Sequence, residues 1–175
     1  EIGLRGNSGA MRWETTLYST EIDQLIVNAP GPSGRTPSNI QEARITGVEV
    51  ILGVTTEQWN GDVSLGLKDT ENVDTGAELP RRAQFGLKGS LTRRFGAWSV
   101  GADVQVQGDR FDTTANAVQL DAYGLVDLRA SWRFAKDWTT RFKVANVTDT
   151  DYTLADTYNT LGRTWMLELA WLPGS

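Results

Sequence analysis

The chain has 175 residues, with 17 Lys and Arg against 22 Asp and Glu, and it contains neither Cys nor His. This composition excludes Cys/His zinc sites, thiol nucleophiles and His-based triads, and a formal charge of −5 without a basic stripe argues against nucleic-acid binding. No run reaches the roughly 18 apolar residues of a membrane-spanning helix, and the length suits one domain. We therefore expect neither an enzyme nor a cofactor.

Alternating apolar and polar residues predict strands along the whole chain, since successive side chains of a strand point to opposite faces. Residues 28–41 carry three prolines and two glycines and are predicted as a polar loop. Nine strands are predicted, in chain order, at 2–6, 12–27, 43–54, 62–68, 81–95, 98–106, 123–134, 138–148 and 161–171. The fold class is therefore all-β and antiparallel.

The connections between these predicted strands are alternately short and long. Antiparallel neighbours place alternate connections at opposite ends of a sheet, so the four short turns share one end and the four long loops share the other. Tight turns at one end and extended loops at the other are typical of an outer-membrane β-barrel. A soluble sandwich would scatter its loop lengths.

The last three strands carry full charges on one face and apolar residues on the other. In residues 123–134, Asp127 and Arg129 lie on the polar face, while Leu128 and Trp132 lie on the apolar face. A soluble sandwich would bury the apolar face in a core, whereas a transmembrane barrel would expose it to lipid around a polar lumen. The strand pattern alone leaves both interpretations open.

Tryptophan positions favour the membrane. The six that fall in or near the predicted short-turn end are Trp13, Trp59, Trp98, Trp132, Trp138 and Trp171. Indole rings at one level are typical of a membrane interface, although the same rings could plug the bottom of a soluble barrel. Nine antiparallel strands cannot close in the usual even-stranded pattern, and open edges in lipid are costly. We expect a piece of a larger barrel, or pairing with another chain.

Two motifs indicate a family. Residues 146–152, Asn-Val-Thr-Asp-Thr-Asp-Tyr, followed by Leu-Gly-Arg-Thr at 161–164, resemble the N-L-x-D-x-x-Y … G-R ending of TonB-dependent outer-membrane receptors. Residues 43–49, Ala-Arg-Ile-Thr-Gly-Val-Glu, are similar to the A-x-x-x-G-V-E strand of the same receptors. Residues 79–83 and 107–112, with compact outer loops, resemble the vitamin B12 receptor branch.

The resemblance implies that residues 1–175 are the carboxyl-terminal part of a 22-stranded barrel in the bacterial outer membrane. The plug domain, its TonB box and the earlier strands would lie outside the chain. Implied partners are cobalamin or a similar large ligand, the remaining strands and plug, TonB acting through the plug, and outer-membrane lipid. The carboxyl-terminal Leu-Pro-Gly-Ser differs from the Phe that usually ends the family.

Ligand-binding candidates lie where long loops meet strands. Arg81 and Arg110 offer rigid sets of donors, and Tyr152 and Tyr158 offer flat amphipathic rings, which suits a large ring compound carrying amides. The resemblance makes Arg81 a plausible substrate contact. For each candidate the alternative is a contact that only anchors a loop.

Other uses of the charged residues remain open. Oxygen ligands for calcium could come from Asp149 with Asp151, or from the acids at 69, 71 and 74, but neither group has EF-hand spacing. Inner-face carboxylates could act as hydrolytic pairs, although cross-strand ion pairing explains them as well. The alternative functions are an iron-siderophore or haem receptor, a non-transporting barrel fragment or scaffold, and a soluble carbohydrate-binding sheet.

Overall fold

The computed structural model describes residues 1–31 and 34–173. Within them lie eleven strands, nine of which form one antiparallel sheet in the order β1-β2-β3-β4-β5-β6-β9-β10-β11. The other two form a small hairpin inside a long connection. The bounds are β1 Ile2–Ser8, β2 Met11–Gly31, β3 Gly34–Thr55, β4 Trp59–Asn72, β5 Phe85–Phe95, β6 Trp98–Gln107, β7 Arg110–Phe111, β8 Gln119–Leu120, β9 Tyr123–Ala135, β10 Trp138–Ala145 and β11 Thr164–Trp171.

The prediction of nine consecutive antiparallel strands is confirmed, and the predicted alternation of short and long connections is observed except between β2 and β3, which extend to Gly31 and from Gly34. Two or three residues join β1 to β2, β3 to β4, β5 to β6 and β9 to β10, whereas the β4–β5, β6–β9 and β10–β11 connections are long. All long connections lie at one end of the sheet because every neighbouring pair is antiparallel. We call this the loop end and the opposite end the short-turn end.

The prediction of a loop at 28–41 is wrong. Apart from residues 32 and 33, which lie outside the described residues, this stretch extends β2 and β3 into a two-stranded ribbon, with Asn28 opposite Pro37 and Pro30 opposite Arg35. The ribbon projects beyond its neighbours, because β4 pairs with β3 only from Ala43 onwards. Proline lacks an amide donor and is tolerated in strands with an open edge, so its presence did not exclude a strand here.

Several further boundaries differ from the sequence pattern: β4 begins at Trp59 instead of 62, β10 ends at Ala145 instead of 148, and β11 begins at Thr164 instead of 161. The strand predicted from residue 81 begins at Phe85, because residues 81–84 leave the sheet and Arg81 has a positive φ of 60°. At its other end β4 continues to Asn72, four residues beyond the predicted strand end at 68. The polar end of β4 lies outside the apolar band and carries no alternation to mark its limit, whereas residues 81–84 alternate as a strand would but leave the sheet.

One face of the sheet, which we call the outer face, is apolar and exposed. Residues directly paired across strands share a face, and one such row runs from Trp13 through Leu52, Val63 and Gly89 to Val104. Large hydrophobic side chains on this face expose about half of their surface, for example Leu17 at 58% and Leu67 at 47%. A contiguous apolar surface of this extent marks an interaction site or a membrane contact.

Rings cluster on the outer face at the short-turn end, as the tryptophan positions predicted. Trp98 and Trp132 are stacked, with ring centroids 5.0 Å apart and planes 5° apart. The contacts continue from Trp132 to Phe134 at 5.5 Å, from Phe134 to Trp138 at 6.4 Å and from Trp138 to Trp171 at 6.0 Å. Offset aromatic pairs of this kind stabilise a surface beyond their simple burial.

The opposite face, the inner face, is polar along the middle of the strands and covered at the loop end. There Ala43, Ile45 and Leu79 form a buried cluster that Tyr18 and Ile22 help to enclose. Leu79 belongs to the β4–β5 connection, which therefore folds back over the inner face. In the part of the chain that the structure describes, no helix is both long and apolar enough to cross a membrane.

Candidate functional site

The candidate site lies at the loop end, where three long connections meet. These are residues 73–84, 108–122 and 146–163, which we call the first, second and third outer loops. Their buried members are largely polar, including Arg110, Asp112 and Asn146. Buried polar groups require hydrogen-bond partners, so the contacts of these residues define how the loops are held together.

Arg81 joins the first outer loop to the second. Its backbone amide donates to the Phe111 carbonyl at 2.6 Å, and its Nε donates to Asp112 Oδ1 at 2.5 Å. The side chain of Asp112 is fully buried, whereas that of Arg81 remains 42% exposed. Nε thus holds the loop while the exposed end of the guanidinium faces solvent.

Arg110 joins the second outer loop to the third. Only 3% of the residue is exposed, its Nη2 donates to the Thr153 carbonyl at 2.7 Å, and its guanidinium carbon lies 5.5 Å from the centre of the Tyr123 ring. Its Nη1 is buried without a hydrogen-bond acceptor among the described residues. The contacts are those of a loop anchor, the alternative that the sequence had left open, and the predicted ligand role stays a prediction.

The two predicted tyrosines occupy different environments. The Tyr152 ring is half-buried against Tyr123, with centroids 4.9 Å apart. In contrast Tyr158 is 71% exposed, on a turn closed by a 3.2 Å hydrogen bond from its amide to the Ala155 carbonyl. Of the four predicted residues, therefore, Arg81 and Tyr158 present surface to solvent, and Arg110 and Tyr152 pack among the loops.

Sequence reasoning missed Asn116, which forms a two-way bridge between the first and second outer loops. Its Oδ1 accepts from the Glu78 amide at 2.9 Å, and its Nδ2 donates to the Glu78 carbonyl at 3.0 Å. Asn116 has a positive φ of 52°, which Asn tolerates better than most residues. A signal was available in the loop sequence Ala115-Asn116-Ala117, where an Asn between small residues is a common turn former.

The third outer loop begins with a compact, hydrogen-bonded turn formed by the motif at 146–152, which resembles that of the receptor family. Asn146 is 5% exposed, and its side chain accepts from the Thr150 amide and donates to the Thr150 carbonyl, both at 2.9 Å. Arg163 donates two hydrogen bonds to the Asp149 carboxylate, one from its backbone amide and one from its guanidinium. These bonds, the backbone bond first, hold the pKa of Asp149 below its ordinary value. The motif therefore closes the loop at its base.

Ion pairs line the inner face below the loops, as the cross-strand interpretation predicted. Arg129 pairs with Asp103, Arg141 pairs with Glu168, and Lys143 Nζ lies 2.7 Å from Asp127 Oδ2. Each of these three carboxylates therefore has a cationic partner on a neighbouring strand, and Glu49 accepts a hydrogen bond from Ser64, an arrangement that needs no catalytic role. Hydrolytic use of these acids finds no support in their geometry.

A polar recess of about 410 Å³ opens on the inner face next to these pairs. Its floor contains Gly66 opposite Gly86, and a Cβ built on Gly86 would meet no atom within 4 Å. Glu49, Lys68 and Lys88 stand among its walls. Within the described residues, no three His, Cys, Asp or Glu side chains come together in a way that could hold a metal ion.

Comparison with known proteins finds one family over most of the chain. Residues 1–147 match the family model described as TonB dependent receptor-like, beta-barrel. The chain is 35% identical over 170 residues to a protein of Photobacterium profundum named Vitamin B12 transporter BtuB, and 31% identical over 172 residues to its namesake in Vibrio vulnificus. Each alignment covers 94% of this chain and 28% of the relative.

Solved structures show the same fold at lower identity. The copper transporter OprC matches with a TM-score of 0.78 at 21% identity, over 97% of this chain and 30% of that one. The pyoverdine outer membrane receptor FpvA from Pseudomonas aeruginosa PAO1 matches with a TM-score of 0.77 at 17% identity, over 97% of this chain and 28% of that one. The chain thus spans less than a third of each protein that it resembles here.

Proposed function

Because the chain belongs to the TonB-dependent receptor-like β-barrel family, we propose that it is the carboxyl-terminal part of an outer-membrane transporter that captures and imports cobalamin. The assignment of cobalamin as the substrate rests on the 35% identity, over 94% of this chain, with a vitamin B12 transporter. We propose further that all 175 residues belong to the barrel, and that the plug domain and the earlier strands lie outside the chain. A transporter of this kind carries out no covalent chemistry.

The dimensions of the outer face support a position in the membrane. On β4 the apolar residues of this face run from Trp59 to Leu67, and Asp69 follows two residues later. Eight residue steps of about 3.3 Å, tilted by about 40°, span roughly 20 Å, close to the apolar band of about 25 Å found in outer-membrane barrels. The outer loops then lie outside the cell, and the short turns face the periplasm.

The sheet itself supports membership in a larger barrel. Its outermost strands, β1 and β11, each pair on one side only among the described residues. Unpaired amides and carbonyls cannot remain exposed within lipid, because no water is present to satisfy them. Neighbouring strands of the same receptor would pair with both edges and close the wall.

Ligand capture is proposed for the surface that the outer loops leave accessible. Arg81 offers guanidinium donors there, and Tyr158 offers an exposed ring that can cover the flat face of a corrin while its hydroxyl meets a side-chain amide. Arg110 and Tyr152 would support this surface from beneath by holding the second and third outer loops together. In this proposal Arg81 and Tyr158 contact the ligand, and Arg110 and Tyr152 hold the loops that carry the binding surface.

Energy for release would come from TonB acting through the plug, and both lie outside this chain in the proposal. The part assigned to the chain is the wall that faces the plug. Its inner face offers charged pairs and the polar recess with Lys68 and Lys88, a surface suited to polar contacts that can break and re-form. A dry apolar lining would not allow that exchange.

The decisive experiment uses the full-length protein that contains this chain. A strain that requires external vitamin B12 is grown at limiting B12 with and without the gene, and equal growth would refute the cobalamin assignment. Binding of labelled cobalamin to the purified protein is then challenged with a ferric siderophore and with haem. Displacement by either compound, and not by unlabelled cobalamin, would identify a different substrate.

Two single substitutions examine the proposed contacts. Arg81→Ala and Tyr158→Ala should each weaken cobalamin binding by about tenfold, the effect of losing roughly 1.4 kcal/mol of interaction. Arg94→Ala is the matched control, since Arg94 lies on the inner face of β5 next to the short-turn end. Unchanged binding by both loop variants would contradict their role as contacts.

A further inference from the structure

Arg93 is a charged residue in an apolar setting. It is exposed on β5, three residues before the Gly96-Ala97 turn, and pairs with Trp59 of β4 on one side and with Val100 of β6 on the other. These register partners place its side chain on the outer face, together with Leu91 and Phe95 of its own strand.

Among the described residues, no other charged side chain accompanies Arg93 in the apolar part of this face. We define the outer band as the outer-face residues of the sheet from the short turns to the row of Val48 and Leu67. Among the described residues of that band, Arg93 is the one Asp, Glu, Lys or Arg. Glu21, Arg44, Asp69 and Glu71 lie on the same face, but beyond the band towards the loop end.

The surroundings of Arg93 provide rings and no counter-charge. Its guanidinium carbon lies 5.3 Å from the centre of the Trp59 ring and 6.0 Å from that of Phe95. The ion pairs formed by the described residues do not include Arg93. Aromatic faces attract a cation but do not neutralise it, so an anion from outside the protein can still bind.

The position of Arg93 along the strand identifies the source of that anion. Trp59 and Phe95 are the first and last residues of their strands at the short-turn end, and the stacked Trp98 and Trp132 lie beside them. Rings of this type sit at the depth of lipid headgroups. An arginine between them meets lipid phosphates, for which its planar fork of donors is well suited.

We propose that Arg93, held between Trp59 and Phe95, binds the phosphate of a glycerophospholipid in the periplasmic leaflet. The guanidinium contacts the phosphate oxygens, and the acyl chains lie against Leu91 and Val100, which are 46% and 40% exposed. Free inorganic phosphate offers the same charge but lacks the chains, so it does not occupy the site. The site rests on a lipid-facing outer face and is independent of the substrate.

The experiment is native mass spectrometry of the full-length protein in detergent, with palmitoyl-oleoyl phosphatidylglycerol as the probe. The wild-type protein should retain this lipid, and a diacylglycerol with the same chains and no phosphate should not bind. Arg93→Gln should lower the fraction of bound phosphatidylglycerol about tenfold at equal lipid concentration. Arg94→Gln, one residue further along and on the inner face, should retain lipid as the wild-type protein does.

Three outcomes would overturn the proposal. These are equal lipid retention by Arg93→Gln and the wild-type protein, equal retention of the phosphate-free diacylglycerol, and displacement of the lipid by inorganic phosphate. All variants are first shown to be membrane-inserted, by a gel mobility that shifts on boiling. Lipid loss with intact insertion supports the lipid site whatever substrate the receptor takes up.

Discussion

Substitution of Asp112, which forms an ion pair with Arg81, tests how the first and second outer loops are held together. Asp112 has a fully buried side chain and accepts a 2.5 Å hydrogen bond from Arg81 Nε. The substitution Asp112→Asn removes the negative charge and keeps the volume. We expect it to loosen the first and second outer loops while leaving the sheet intact.

The magnitude follows from the exposure of the two partners. Losing a buried partner of a buried charge costs about 3–5 kcal/mol, because the remaining charge is left uncompensated. The Arg81 side chain is 42% exposed and can turn to water, so the larger cost does not apply. Replacing a charge-assisted hydrogen bond by a neutral one then costs about 1–2 kcal/mol, a factor of roughly 5–30 in the opening equilibrium.

Hydrogen exchange followed by mass spectrometry measures this opening equilibrium locally. Peptides from residues 73–84 and 108–122 should exchange about 5–30 times faster in Asp112→Asn, while peptides from β5 and β6 keep their protection. Asp109→Asn is the matched control, since Asp109 is exposed and its Oδ2 accepts from Gln119. Unchanged exchange in both loops, or equal acceleration by the control, would refute the reasoning.

Two more predictions concern a glycine of the barrel wall and a carboxylate of the third outer loop. A Cβ at Gly47 would lie 2.6 Å from the Tyr18 hydroxyl and 2.7 Å from a backbone oxygen. Gly47→Ala should therefore destabilise the fold by about 1–3 kcal/mol and lower the temperature at which gel mobility shifts. The control Gly86→Ala, whose Cβ would meet no atom within 4 Å, should leave that temperature unchanged. Because bonds from Arg163 lower the pKa of Asp149, they stabilise the loop above a pH of about 4 and are lost as the pH falls through the lowered pKa. The protection of residues 146–163, taken as the observed exchange rate relative to that of the unfolded chain at the same pH, should therefore fall as the pH drops below about 4 in the wild-type protein and not in Asp149→Asn; equal pH dependence in both would contradict this role.

Much of the fold was available from the sequence because its signal is local. A period of two in hydrophobicity depends on adjacent residues, and each strand shows it independently. The prediction failed at 28–41, where three prolines and two glycines hide the strands and the residues carry no alternation. It also failed at 81–84, where Arg81 takes a positive φ within a stretch that alternates cleanly.

Less of the candidate site was available from the sequence. Arg81 and Arg110 are the same residue type at similar loop positions, yet one is half-exposed and the other is 3% exposed. The difference arises because the third outer loop covers Arg110, through a hydrogen bond to a residue 43 positions away. Asn116 likewise accepts a hydrogen bond from the amide of Glu78, a residue 38 positions away in the chain.

The sequence by itself determined the all-β class, the nine strands of the sheet, the two-ended distribution of short turns and long loops, and the family. The first three follow from the spacing of residue types along the chain, which lipid and hydrogen bonding constrain strand by strand, whereas the family follows from the motifs at 43–49 and 146–164, which resemble those of TonB-dependent receptors. Only the tertiary structure decided which loop arginine is buried, which acids are paired, and that Arg93 is the one charged residue among the described residues of the outer band. Those properties depend on register and on contacts between distant segments, which residue spacing does not encode.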